Sequence, residues 1–244
     1  MESRNPVFGQ KLFDRAREDL VGTGAMTLGG TVYRTFILLA LMLGGAAYTW
    51  SRFESGASVY GMMIAGVVLA LIAALVTIFV PKIAFITAPL YAIFEGLALG
   101  AVSAAFEIQY PGIVLNAVLI TVGTLFAMLL LYVTRIVKVT PGLRTGIMMA
   151  TFSIMLVYLF DFVLGFFGVN VPFIHESGLI GIGISLFVVV IASLNLLLDF
   201  DFIERGARGG APKYMEWVGA FGLMVTLVWL YLEVLKLLSK LAKR

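Results

Sequence analysis

Residues 178–200 read GLIGIGISLFVVVIASLNLLLDF, and Asp199 is the sole ionisable side chain in this run. An α-helix needs ~20 mainly apolar residues to cross the hydrocarbon core of a bilayer, so the run is long enough to span a membrane. Six similar runs lie at 31–50, 60–80, 84–106, 112–134, 143–166 and 214–238. The sequence therefore predicts an all-α, multi-pass integral membrane protein whose seven transmembrane helices contact the lipid bilayer.

The composition of the 244-residue chain excludes several other classes of protein. It is 61% hydrophobic and 13% charged, whereas soluble domains average ~45–50% apolar and ~25% charged residues. The same apolar content excludes a disordered chain. The chain has no cysteine and one histidine, His175, which excludes a disulfide framework, a thiolate zinc site and a multi-histidine metal site. We therefore expect no resident cofactor.

The chain divides into two regions by polarity. Residues 1–30 are a polar arm, in which 8–20 alternates apolar and charged residues as a short interfacial helix does. Residues 31–244 hold the seven spans without an intervening linker and are predicted to form one transmembrane domain. Arg34 lies near the entry of the first span, where a long basic side chain can reach the lipid headgroups.

The distribution of Lys and Arg predicts the orientation of the chain, because short cytoplasmic loops accumulate basic residues. With the N-terminus inside, the outer loops hold Arg52 alone. The inner side then holds twelve basic residues, namely Arg4, Lys11, Arg15, Arg17, Arg34, Lys82, Arg135, Lys138, Arg144, Arg205, Arg208 and Lys213. The last four, Lys236, Lys240, Lys243 and Arg244, follow the opposite trend on a tail that seven spans place outside. The net charge of +3 is thus a topology signal, and no nucleic-acid partner is expected.

Acidic residues inside the predicted spans are the candidate functional site, since ionisable groups in lipid are costly and are functional hypotheses by default. Glu95 and Asp199 are expected roughly 16 and 13 Å above the inner surface, at 1.5 Å per helical residue. They therefore share a layer, with Asp201 one step nearer the cytoplasm. A second, outer layer holds Asp161, Glu107, Glu176 and Glu233.

Two acidic layers favour a path for protons or cations, because carboxylates are the ligands that hard cations such as calcium prefer. Burial and a shared site both make a carboxyl group retain its proton nearer neutral pH, so such a pair senses pH. Another interpretation places Asp199 and Asp201 among the headgroups with Arg205 and Arg208 as partners. In the same interpretation Glu233 reaches the outer interface.

Three segments resemble the transmembrane Bax-inhibitor-motif family in its bacterial branch: GLALG at 96–100, DFDFI at 199–203 and WLYLEVLKLLSKL at 229–241. The resemblance covers about residues 31–244. It implies a seven-helix bundle with the last helix central. It also implies a pH-sensitive calcium leak, gated by an acidic pair between the sixth and seventh helices. Asp199 takes the first position of that pair, and Glu233 matches the second.

The spacing of Asp199 and Glu233 leaves the identity of the acidic partner open. Straight helices joined by a turn near 209–210 place the two carboxylates at depths that differ by roughly 20 Å. A seventh helix broken around Gly219 and Gly222, or a folded-back 206–216 segment, brings them together. Otherwise Glu95 is the better partner of Asp199.

Two functions follow from these features. The first is a pH-sensitive calcium leak channel, with Asp199, Glu233 and Glu95 as calcium contacts and Asp201 beside the ion pathway. The alternative is a regulator of another membrane protein, such as a membrane-bound protease, with the arm 1–30 as its contact surface. An enzyme is not expected, because no nucleophile, phosphate-binding or dinucleotide motif appears in a suitable context. The absence of eukaryotic retention and lipidation signals favours a bacterial inner membrane.

Overall fold

Seven long helices make up most of the computed structural model, which describes residues 24–168 and 178–243. They are α1 (Leu28–Glu54), α2 (Tyr60–Phe79), α3 (Ala84–Gln109), α4 (Ile113–Val133), α5 (Pro141–Gly165), α6 (Leu179–Arg208) and α7 (Met215–Ala242), and a 3₁₀ turn at Pro81–Ile83 precedes α3. Each of the seven is long and apolar enough to cross a membrane. Over the described ranges, extended backbone pairs only as one isolated bridge between Ala25 and Pro212. The predicted all-α, seven-span architecture is confirmed.

The helix boundaries differ from the predicted spans at two places that matter for function. Helix α6 continues to Arg208 rather than ending at 200. No proline interrupts 201–208, the single Gly206 is tolerated within the helix, and the chain leaves the helix at Gly209 and Gly210, where Gly210 has φ +67°. Asp199 and Asp201 therefore lie inside a helix. Helix α1 begins at Leu28, where the Thr27 hydroxyl caps it by accepting the Gly30 N–H at 2.9 Å. The predicted helix at 8–20, like His175 and Glu176, lies outside the described residues.

One of the acids assigned to the outer layer serves as a helix cap. The carboxylate of Glu107, at the end of α3, accepts the backbone N–H groups of Gly112 at 2.5 Å and Val114 at 3.2 Å. The first N–H groups of a helix have no partner within it, and Glu107 supplies one to α4. Gly112 adopts φ +83° at this turn.

The described chain forms two compact units. Unit 1 runs up to Gly100 and includes Phe202–Met224, and unit 2 comprises Ala101–Asp201 and the residues from Val225 on. In unit 1, α1 and α3 approach closely through glycines: a Cβ on Gly96 would overlap the Met42 backbone, and one on Gly45 would lie 2.7 Å from the Ile93 carbonyl oxygen. The GLALG segment therefore meets the need for small residues where helices pack in lipid.

The core of unit 2 joins α5, α6 and α7. Ile154, Val188 and Ile191 are buried together, and Trp229 packs against them. Helix α7 is the most buried of the seven: 67% of its most apolar stretch is buried, against 11% in α5. The central position expected for the last helix stays a prediction.

Candidate functional site

Asp199 presents the most unusual carboxylate of unit 2. The residue is half-buried on α6, but its Oδ2 atom is fully buried and has no hydrogen-bond partner among the described residues. A side-chain hydrogen bond links the same carboxyl group to Thr226 on α7, a residue that is only 9% exposed. A buried polar atom without a partner is costly, so this oxygen needs an explanation.

Thr226, and not Glu233, lies opposite Asp199 on α7. Glu233 is seven residues further along, which is about 10 Å at 1.5 Å per residue. Helix α7 is continuous through Gly219 and Gly222, so the expected break does not occur. The 206–216 segment does not fold back either, because α6 runs through it to Arg208 and α7 begins at Met215. Asp199 and Glu233 are therefore not in contact.

Glu233 is held by two other side chains. It is only 1% exposed, and its carboxylate accepts the Tyr158 hydroxyl at 3.0 Å and the Lys236 ammonium at 3.0 Å. The Lys236 ammonium also lies 4.7 Å from the centre of the Tyr158 ring, within the range of a cation–π interaction. The charge of Glu233 is therefore compensated on its own helix.

Asp201 also has a local counter-charge. Its carboxylate forms an ion pair with Arg144 near the start of α5, and its side chain is 14% exposed. Arg208, which was considered as a headgroup partner of these acids, pairs instead with Glu204 at 2.5 Å. The predicted site residue Asp201 thus joins α6 to α5.

Glu95 belongs to unit 1, where it is half-buried on α3. Buried Tyr91 lies one turn earlier on the same helical face and packs edge-on against Phe221, with ring centres 5.0 Å apart. Asp199 belongs to unit 2, and a shared layer of Glu95 and Asp199 stays a prediction. Over the described ranges, no three His, Asp or Glu side chains come together as a metal site would require.

Sequence reasoning missed a buried ion pair in unit 1. Glu216, in the first turn of α7, is 1% exposed and pairs with Arg34 of α1. Its Oε1 atom also accepts the backbone N–H of Thr27 at 2.8 Å and the Thr27 hydroxyl at 2.9 Å. The Arg34 guanidinium lies 5.2 Å from the Trp217 ring centre. Arg34 therefore turns toward Glu216 rather than toward the headgroups. The sequence signal for this ion pair was the presence of opposite charges near the starts of the first and last spans.

Lys240 was likewise missed as an internal residue. Its ammonium donates to the Gly181 carbonyl at 3.0 Å and to the Ser185 hydroxyl at 2.8 Å, and the residue is 8% exposed. These contacts join the end of α7 to the start of α6. Two of the four basic residues of the tail, Lys236 and Lys240, therefore have structural partners inside unit 2.

The seven apolar helices and the carboxylates buried among them define a polytopic integral membrane protein. A family model, Bax inhibitor 1 like, matches residues 5–243, and the chain belongs to that family. This match confirms the resemblance to the family that the three sequence segments indicated, and the bacterial branch stays a prediction. Comparison with curated proteins and with solved structures gives no match. The Bax inhibitor family is not known for enzymatic activity.

Proposed function

We propose that the protein is a pH-sensitive cation leak, with calcium as the transported ion, and that protonation of Asp199 controls it. The buried and unpartnered Oδ2 atom of Asp199 is the observation that carries the proposal. Glu95 is the second candidate for a titrating group on the pathway. The chain resides in a bacterial inner membrane with its N-terminus in the cytoplasm, in keeping with the distribution of basic loop residues.

The environment of Asp199 supports control by a proton or a cation. An ionised carboxylate removed from water is stable only when hydrogen bonds or opposite charges compensate it. Among the described residues, the Oδ2 atom of Asp199 has neither a hydrogen bond nor an opposite charge. The same carboxyl group is hydrogen-bonded to Thr226. A bound proton or cation supplies the missing partner, so the two compete for the same oxygen.

The other two acids of unit 2 have a different role. Glu233 has Lys236 and Asp201 has Arg144 as a counter-charge. We assign these two carboxylates to holding helices together. The control residues of the leak are then Asp199 first and Glu95 second.

Calcium flux into liposomes loaded with a calcium dye tests the proposal directly between pH 5 and 8. Asp199→Asn retains the shape and part of the hydrogen bonding but cannot titrate, so it should flatten the pH profile. Glu54→Gln is the matched control, because Glu54 is exposed and bonds only its neighbour Trp50. Absence of wild-type flux at every pH would refute the leak. A stoichiometric protein partner together with no flux would favour the regulator of another membrane protein.

A further inference from the structure

Among the described residues of unit 2, the contacts around Asp199 involve no second unpaired carboxylate. On α6, Asn195 lies one turn earlier and donates to the Thr151 hydroxyl at 2.8 Å and to the Ile191 carbonyl at 2.9 Å. On α5, Arg144 is bound to Asp201. From α7, the neighbour is the Thr226 hydroxyl.

Three other charged groups of unit 2 have partners of their own. Glu233 and Lys236 of α7 pair with each other. From α4, the Tyr132 ring packs against Phe200 with ring centres 5.8 Å apart, and the Arg135 guanidinium lies over Tyr132 at 5.7 Å. Among the described contacts of unit 2, Asp199 is thus a carboxylate beside a neutral hydroxyl.

We propose that Thr226 sets how tightly the Asp199 site holds a cation, because it presents a neutral hydroxyl where an acid would add a second negative charge. This inference rests on the proposed function, because it describes the same carboxylate. It adds a residue that neither the sequence resemblance nor the predicted acidic pair contains. A hydroxyl stays neutral over the physiological pH range, so Asp199 alone changes the charge of this pair.

The chemistry of calcium explains why a single charge suits a leak. Calcium takes six to eight oxygen ligands, and the number of charged ligands tunes its dissociation constant over several orders of magnitude. Asp199 and Thr226 offer one carboxylate and one hydroxyl. Conduction requires binding that is strong enough for entry and weak enough for exit. Thr226 therefore keeps calcium occupancy short, and an acid at the same position would hold the ion longer.

Calcium binding to the purified full chain in detergent tests the inference without any requirement for flux. We expect weak binding by the wild type and at least about tenfold tighter binding by Thr226→Asp, since ligand charge sets affinity. Asp199→Asn in the Thr226→Asp chain should abolish the gain. Thr121→Asp is the matched control, because Thr121 is a buried threonine of α4 in the same unit and should not raise calcium affinity.

Thr226→Val keeps the shape of the side chain and is the second test variant if Thr226→Asp does not fold. Loss of the hydroxyl removes one oxygen ligand, so Thr226→Val should bind calcium more weakly than the wild type. Unchanged calcium affinity in a folded Thr226→Asp chain would overturn the inference, as would equal gains for Thr226→Asp and Thr121→Asp. Tighter binding by Thr226→Asp without wild-type flux would support the inference and refute the leak, so the two proposals fail separately.

Discussion

Breaking the Arg34–Glu216 ion pair of unit 1 from one side should destabilise the protein more than removing both charges. The Glu216 side chain is 1% exposed and that of Arg34 is 17% exposed. Truncating one partner of a buried pair costs about 3–5 kcal/mol, because the other charge stays buried without compensation. Replacing both by apolar residues of similar volume is often neutral or stabilising.

The contacts of Arg34 and Glu216 predict different losses of stability for the two single variants. In Arg34→Met, Glu216 keeps both hydrogen bonds from Thr27 but loses its counter-charge, so we expect a loss of ~3–5 kcal/mol. In Glu216→Gln, the Arg34 guanidinium still donates to the Gly30 carbonyl at 3.0 Å and contacts Trp217. Arg34 is also partly exposed, so we expect about 2–3 kcal/mol there.

The assay is reversible unfolding of the purified protein in mixed micelles, followed by tryptophan fluorescence. The double variant Arg34→Met with Glu216→Gln closes a double-mutant cycle with these two singles and keeps an acceptor for Thr27, and its coupling energy should be about 2 kcal/mol or more. Glu54→Gln again serves as the control, with no measurable change. Single variants no less stable than this control, or singles that simply add in the double variant, would contradict the ion-pair account.

Two further predictions concern packing and orientation. Gly96→Val should destabilise unit 1 by at least about 1–3 kcal/mol in the same assay, because the added carbons overlap the α1 backbone, while valine at exposed Gly44 should be tolerated better. Cysteines introduced at Ser3 and Ser58 should react with a membrane-impermeant reagent from opposite sides of the membrane, and labelling from the same side would contradict the N-terminus-inside topology.

Much of the fold could be predicted from the sequence because the formation of a transmembrane helix depends on one local stretch of residues. A transmembrane helix must satisfy its own backbone hydrogen bonds in lipid, so a run of ~20 apolar residues predicts one without knowledge of its neighbours. The ends of the helices were harder to predict. Helix α6 passes through the charged segment after Asp199 to Arg208, because charged residues end a hydrophobic run without ending a helix.

The partners of the acids could not be predicted in the same way, because a partner depends on how helices pack. The predicted depths assumed that α6 and α7 are level at the turn near 209–210, which suggested a separation of roughly 20 Å for Asp199 and Glu233. The structure shows Thr226 beside Asp199 instead, about 10 Å from the level of Glu233 along α7. Asp199 lies nine residues before the end of α6 at Arg208, and Thr226 lies eleven residues after the start of α7 at Met215. The turn is therefore centred later than 209–210, and hydropathy does not locate it.

Among the described residues, the lack of a counter-charge distinguishes Asp199 from the buried acids Glu216 and Glu233 more sharply than burial does. Glu216 and Glu233 are more deeply buried than Asp199, but each has a basic residue within ion-pair distance. A buried acid that has a counter-charge has a structural role, because its contacts hold helices together. A buried carboxylate oxygen without a hydrogen-bond donor raises the free energy of the folded state, and packing alone gives no reason to retain it. Exchange of a proton or a cation at that oxygen is such a reason, and it makes Asp199 the first residue to substitute.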